Sequence, residues 1–431
     1  MAQRLDFSKP GFEEKFRALI GMKREAAEDV EAAVASILRE VAERGDEALI
    51  EFTLRFDKHE LSPATLRVSE AEIEAAVAAC PRHALDALAF ARERIEAFHL
   101  RQRPKDDHFT DALGVRLGLR WTPIADVGLY VPGGTASYPS SVLMNAVPAK
   151  VAGVQRLVMV APAPGNRHNP LVLAAAKLAG VDEIYRIGGA QAVAALAFGT
   201  SSIAPVAKIV GPGNAYVAAA KRRVFGFVGI DAIAGPSEVL VLADKTANPD
   251  WVALDLLAQA EHDGAAQSIL ITDDDALAEA VEERIARHLA ELPRAAIARA
   301  SWRDLGAIIL VPSLRDAAGL VDRLAPEHLE IATEAPDKLA QLIRNAGAIF
   351  LGHHTPEAIG DYVGGPNHVL PTARTARFSS GLGVIDFMKR TTLLDVTREG
   401  LFALAPPAIA LAEAEGFDAH ARSVSARLER G

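Results

Sequence analysis

From about residue 124 the chain alternates short, uninterrupted apolar runs with helical segments, and this pattern restricts the fold more than any other feature. Runs at 124–131, 156–161, 183–187 and 208–210 read as strands, with helices near 142–152, 170–179 and 190–197 between them and another at 215–225. A second series follows, with strands at 239–243, 268–272, 307–311 and 348–351. Strands that are apolar on both faces belong to parallel sheets covered by helices on each side. The residues before 120 are helical. A stretch from Lys23 to Arg44 carries Val30, Val34, Ile37, Leu38 and Val41 at helical spacing, and Ser69-x-x-Glu72 is a capping box. The prediction is an α/β protein of two Rossmann-like parallel-sheet domains, with a helical N-terminal segment and a small helical C-terminal tail. The boundaries expected are an arm at 1–25, a first Rossmann-like domain from 26–129 with 238–381, a second at 130–237, and a tail domain at 382–431.

Charge and cysteine content exclude several function classes. Lys and Arg number 46 against 56 Asp and Glu, a formal charge of −10, and no basic block occurs. Nucleic-acid binding needs clustered cations to neutralise phosphates, so none is expected. One cysteine, Cys80, excludes an intramolecular disulfide, a CxxC redox pair and a cysteine-rich zinc module. The opening MAQRLDFSKP lacks a basic-then-apolar leader, and no apolar run approaches the ~18 residues that cross a bilayer. These features predict a soluble, cytoplasmic protein with no membrane partner.

Three turns carry small residues where strands of the first series meet helices: Pro132-Gly133-Gly134-Thr135, Gly188-Gly189-Ala190-Gln191 and Gly211-Pro212-Gly213-Asn214. Such turns let backbone approach a ligand, and the helix N-terminus that follows favours an anion. Any one of them is equally ordinary strand-to-helix punctuation; three in succession favour a nucleotide or another anion. Among the histidines, Gln259 and His262 share a helical face at i, i+3. Asp361 lies in the loop after the strand at 348–351, and His420 lies in the tail. If these four converge, their N and O donors suit zinc without excluding manganese or cobalt. Glu327-His328 is an adjacent carboxylate and imidazole after a proline, the residue types of general acid–base chemistry. A solvated pair at a turn is the plainer account of it. Cys80 ends a helical run far from every other motif and reads as a packing residue, which disfavours thiol catalysis.

Taken together, the runs VPGGTASYPSSVLMNAVPAKVAG, RIGGAQAVAALAFGT, KIVGPGNAYVAAAKR, GIDAIAGPSEVLVLAD, LAQAEHD, APEHLEIAT, IGDYVGGPNHVLPT and EAEGFDAH resemble the histidinol dehydrogenase family, in family order over nearly the whole chain. The resemblance implies zinc ligands at Gln259, His262, Asp361 and His420, one ion per subunit, and catalytic bases at Glu327 and His328. It implies NAD+ contacts at Tyr130, Gln191 and Asn214, which places the dinucleotide on the domain at 130–237. Substrate contacts fall at Ser237 and Glu415, together with the zinc ligands and His328, and His368 lies nearby. It also implies a homodimer in which one subunit's tail, with Glu415 and His420, completes the other's site.

The activity implied is oxidation of L-histidinol to L-histidine through the aldehyde, with two hydride transfers to NAD+. Two rivals remain: a related zinc- and NAD-dependent dehydrogenase of another small alcohol such as a sulfonated diol, and a zinc hydrolase using Glu327. A sulfonate site would offer Arg or Lys where Glu415 and His368 stand.

Overall fold

The computed structural model describes residues 2–22, 28–133, 138–166, 168–233 and 235–428. The strand–helix alternation forms two parallel sheets. Across its width the larger runs Gln3–Asp6, Ala307–Leu310, Gln267–Thr272, Glu238–Ala243, His328–Ala332 and Ala348–Leu351. The smaller runs Glu183–Tyr185, Arg156–Val160, Asp126–Tyr130, Lys208–Val210 and Gly229–Ile230. The central strands are buried on both faces because their alternate residues feed different cores. Leu240, Leu242, Ile269 and Ile271 pack with Phe16, Leu320 and Ile331 on one side of the larger sheet. Val239, Val241 and Leu270 pack with Leu256, Val281 and Trp302 on the other.

Several elements depart from the sequence reading. The N-terminal residues are no free arm: Gln3–Asp6 is the edge strand of the larger sheet, and the helix Phe12–Gly21 buries Phe12, Phe16 and Leu19 beside it. The helices Glu28–Arg44 and Asp46–Asp57 were grouped with the larger sheet. They pack on the smaller one, where Val34, Ile37, Leu49 and Phe52 meet Val193, Leu196 and Val217. Asp126–Tyr130, assigned to the same group, is a central strand of the smaller sheet. Residues 23–27, the start expected for the first long helix, lie outside the described residues, as do Gly134 and Thr135 of the first glycine turn. A third, antiparallel sheet joins Met388–Asp395 to Arg116–Pro123 and Asp107–Thr110, so the tail opens with a strand before its helices Arg398–Ala414 and Asp418–Ser425. No described helix is long and apolar enough to cross a membrane.

Strand polarity positions the site. In the smaller sheet the connection order reverses between Asp126–Tyr130 and Lys208–Val210, and ligands of open α/β sheets bind at the carboxyl ends beside such a reversal. The loops leaving those two strands face the amino ends of Glu238–Ala243 and His328–Ala332 in the larger sheet, across a cavity of about 450 Å³. In the larger sheet the corresponding carboxyl-end crevice, between the same two strands, is closed by the protein itself. There Asp244 accepts hydrogen bonds from Thr246 N and Glu334 N.

Leu240, 1 % exposed in a central strand of the larger sheet, tests this packing. Leu240→Ala should cost about 2–5 kcal/mol through lost burial and a residual cavity, measured as the urea unfolding free energy. A loss below about 1 kcal/mol would place that strand outside the core.

Candidate active site

Glu327 and His328 stand at the amino end of a buried strand, not on a solvated turn; they are 5 % and 4 % exposed. One residue of the neighbouring strand holds both. Glu238 N donates to Glu327 Oε2 at 3.0 Å, and His328 Nδ1 lies 3.0 Å from the Glu238 carbonyl. A carbonyl only accepts, so Nδ1 carries the imidazole proton and Nε2 keeps its lone pair. Nε2 has no hydrogen-bond partner and lies 3.9 Å from Asp361 Oδ1. Burial lowers the His328 pKa to about 4, against a smaller upward pull from Asp361. Burial raises the Glu327 carboxyl well above the usual carboxylate range.

Gln259 closes the last turn of the helix Pro249–Ala260 and is fully buried, yet neither Oε1 nor Nε2 has a partner. Leaving an amide so costs about 1–3 kcal/mol in a folded protein, which marks it as a ligand-binding group. His262 lies two residues past the helix. Its N–H reaches the Gln259 carbonyl at 3.2 Å, so the expected i, i+3 relation survives in a turn. Asp361 belongs to a short helix, Glu357–Tyr362, rather than to a loop. His368 donates from Nδ1 to the Asp361 carbonyl at 2.8 Å.

Gln259, His262, Asp361, Glu327, His328, Ser237, His368 and Asn214 all line the one cavity. Among the described residues, the cluster of acidic and imidazole ligand atoms within 4.8 Å of one another is His328, Glu357 and Asp361. It shares only Asp361 with the ligand set the resemblance implies. Nδ1 of His328 is already committed to Glu238, whereas the Gln259 amide is free and His262 borders the same space. The N and O donors around Asp361 therefore fit a zinc ion. Glu357 was missed from sequence; its one signal is a position four residues before Asp361 on the same helix, and its Oε1 lies 3.3 Å from His328 Nδ1.

The dinucleotide candidates divide. Asn214 caps the helix Ala215–Val224 through Oδ1 and lies on the cavity-lining loop after Val210. Tyr130 and Gln191 are buried, at 3 % and 2 % exposure, and do not line the cavity. Tyr130 OH accepts the Gly189 N–H at 2.9 Å, which leaves its own proton to donate. Glu415 and His420 do not join the cavity within this chain. Both are exposed at the tail helices, where the His420 ring stacks on Phe417. Cys80 ends the helix Glu70–Ala79 away from the cavity, its Sγ bonded to the Ala76 carbonyl.

Two facing parallel sheets with a buried imidazole and carboxylate beside the cavity at their junction define an α/β protein that carries the groups of acid–base chemistry. The histidinol dehydrogenase family profile matches residues 21–428. The chain is 68% identical over its whole length to the whole of a Rhodopseudomonas palustris histidinol dehydrogenase. It is 66% identical to one from Bradyrhizobium diazoefficiens, with 99% of each chain covered. The crystal structure of histidinol dehydrogenase from Elizabethkingia anophelis superposes with a TM-score of 0.95 at 38% identity, covering 99% of this chain and 98% of that one. The chain belongs to the histidinol dehydrogenase family.

The buried ring gives a pH prediction for the metal-free protein. Between the ordinary value of 6.5 and about 4, the unfolded chain binds a proton at His328 that the folded chain does not. Its contribution to stability is therefore complete above the upper value and is lost as pH falls through this window. The His328 ring resonances in NMR should stay those of a neutral imidazole down to about pH 4. A midpoint near 6.5 would contradict the burial argument.

Proposed function

We propose that this protein oxidises L-histidinol to L-histidine through L-histidinaldehyde, the last step of histidine biosynthesis, with NAD+ and one zinc ion per subunit of a cytoplasmic homodimer. One observation carries the reading. The unpartnered amide of Gln259, the Glu327–His328 pair and the glycine loop ending at Asn214 meet in a single cavity, in a chain whose relatives bear that enzyme's name.

Gln259, His262 and Asp361 would hold the zinc, with His420 and Glu415 arriving from the tail of a second copy. The tail supports this: its two helices bury only Gly400, Ala405 and Ala421. Phe402, Leu411 and Phe417 stay exposed, an apolar surface of the kind partners cover. The smaller sheet's loops, with Tyr130, Gln191 and Asn214, would hold the dinucleotide. Residues 238–381 supply the bases, Ser237 and the zinc ligands bind the substrate, and His368 lies beside them. Bound zinc supplies a positive charge that orients an amine- and imidazole-bearing substrate and keeps neighbouring carboxyls ionised. Bound NAD+ would supply the hydride acceptor for each of two oxidations.

The chain's own residues handle the protons. A neutral imidazole is too weak to ionise an alcohol beforehand, so His328 Nε2 takes the hydroxyl proton as the hydride leaves carbon. The aldehyde then adds water, whose proton Glu327 accepts as the oxygen bonds to the carbonyl carbon. His328 removes a proton from the resulting hydrate during the second oxidation. One alcohol and one water yield a carboxylate, two hydrides and three protons, with no thiol involved. Among the described cavity-lining residues Lys221 is the one Lys or Arg, and it is paired with Asp231. That leaves no free cation for a sulfonated diol.

The purified protein with histidinol should form two NADH per alcohol consumed; no NADH would sink the proposal and favour a hydrolase. His262→Asn should lose zinc, by metal analysis, together with turnover. His328→Asn should retain zinc and lose about 10²–10⁴ in kcat, and normal turnover would remove it as the base. Mixing inactive His328 and His420 variants should restore partial activity, whereas none would place the whole site within one chain.

A further inference from the structure

Gly211 is the first residue beyond the ladder of the strand Lys208–Val210, where the register stops at Leu129 against Val210. It is buried with φ +108°, and a Cβ there would lie 2.2 Å from the Tyr130 carbonyl oxygen. Past the ladder its N–H and C=O need other partners, since buried backbone polar groups are almost always paired. Two side chains supply them. Asp231 Oδ2 accepts the Gly211 N–H at 2.8 Å, and Lys221 Nζ donates to the Gly211 carbonyl at 3.0 Å. Lys221 and Asp231 are also ion-paired to each other, and their side chains are 2 % and 6 % exposed. Lys208, the other cation nearby, is engaged with the Asp386 carbonyl at 2.6 Å.

The two side chains and the backbone of Gly211 form a closed ring. Lys221 sits on the helix Ala215–Val224, and Asp231 follows the strand Gly229–Ile230. The ring fixes the direction in which the loop 211–214 leaves the sheet, and both side chains border the cavity.

We propose that Lys221 and Asp231 are positioning residues for dinucleotide binding, holding the N–H and the C=O of Gly211 so that the loop ending at Asn214 faces the cavity. This rests on reading that loop as the dinucleotide site. A displaced loop loses binding because small errors in placement weaken every contact it makes. A merely structural role would give a different result: losing both side chains leaves the Gly211 N–H and C=O unpaired and lowers stability, with no change in dinucleotide affinity.

The test is the double variant K221M/D231L, assayed by equilibrium binding of NAD+ to the full-length zinc protein. Its thermal midpoint should fall by several degrees, because the Gly211 N–H and C=O lose their partners, and binding is measured below that midpoint. Its Kd for NAD+ should rise about tenfold or more, while histidinol binding without dinucleotide stays within about twofold. An unchanged Kd for NAD+ overturns the proposal, as does a loss of stability with no loss of dinucleotide affinity. Hydrogen exchange on the unaltered, dinucleotide-free protein gives a second readout that needs no variant. The Gly211 amide should be protected, and rapid exchange there overturns the clamp. Asn214→Ala separates the two ideas: if it weakens NAD+ binding and the double variant does not, the clamp fails and the loop's role stands. If neither variant affects NAD+, both fail.

Discussion

Both members of the acid–base pair hang on one residue of main chain. The N–H of Glu238 holds the Glu327 carboxyl, and its C=O holds the His328 ring. This is possible because Glu238–Ala243 and His328–Ala332 are adjacent and parallel, with His328 in register with Val239. A slip of one residue would turn His328 to the opposite face of the sheet. The register is fixed by the apolar residues on both faces, so the core that stabilises the larger sheet also sets the base's tautomer. Backbone serves this purpose better than another side chain, having no rotamers to order.

The second constraint is the opposed polarity of the two sheets. The smaller presents carboxyl-end loops, with backbone free to approach a ligand. The larger presents amino ends, where side chains at strand starts and a helix end converge. Facing each other, they bring a glycine-rich loop against an imidazole with a free lone pair. Burial then shifts groups in opposite directions, with His328 and His368 lowered and Glu327 and Glu357 raised. Each is held toward its neutral form by desolvation. A cation beside the carboxyls would reverse the penalty for them.

Much of the architecture was legible because a strand buried on both faces leaves a continuous apolar run. Eight strands of the two sheets declare themselves in this way. His328–Ala332 does not, since the polar His328 and Glu330 interrupt the apolar run. Gln3–Asp6 has only Leu5 buried, too little for a pattern. The antiparallel sheet escaped for a related reason: Asp107–Thr110 is exposed throughout and Met388–Asp395 mostly so. Glu357 carries no motif and matters only because its helix turns it toward His328.

Local sequence determined the alternation of elements, the glycine turns, the caps and the kinds of atom available for chemistry. All of these depend on neighbours within a few residues. Tertiary structure alone decided that positions 214, 259, 327 and 361 border one cavity, and that Gln259 is buried with its amide unpaired. It likewise decided that the helices from Glu28 to Asp57 cover the smaller sheet instead of the larger. Such facts follow from how apolar faces of distant segments fit together, and periodicity records only that a face exists, not which other face it meets.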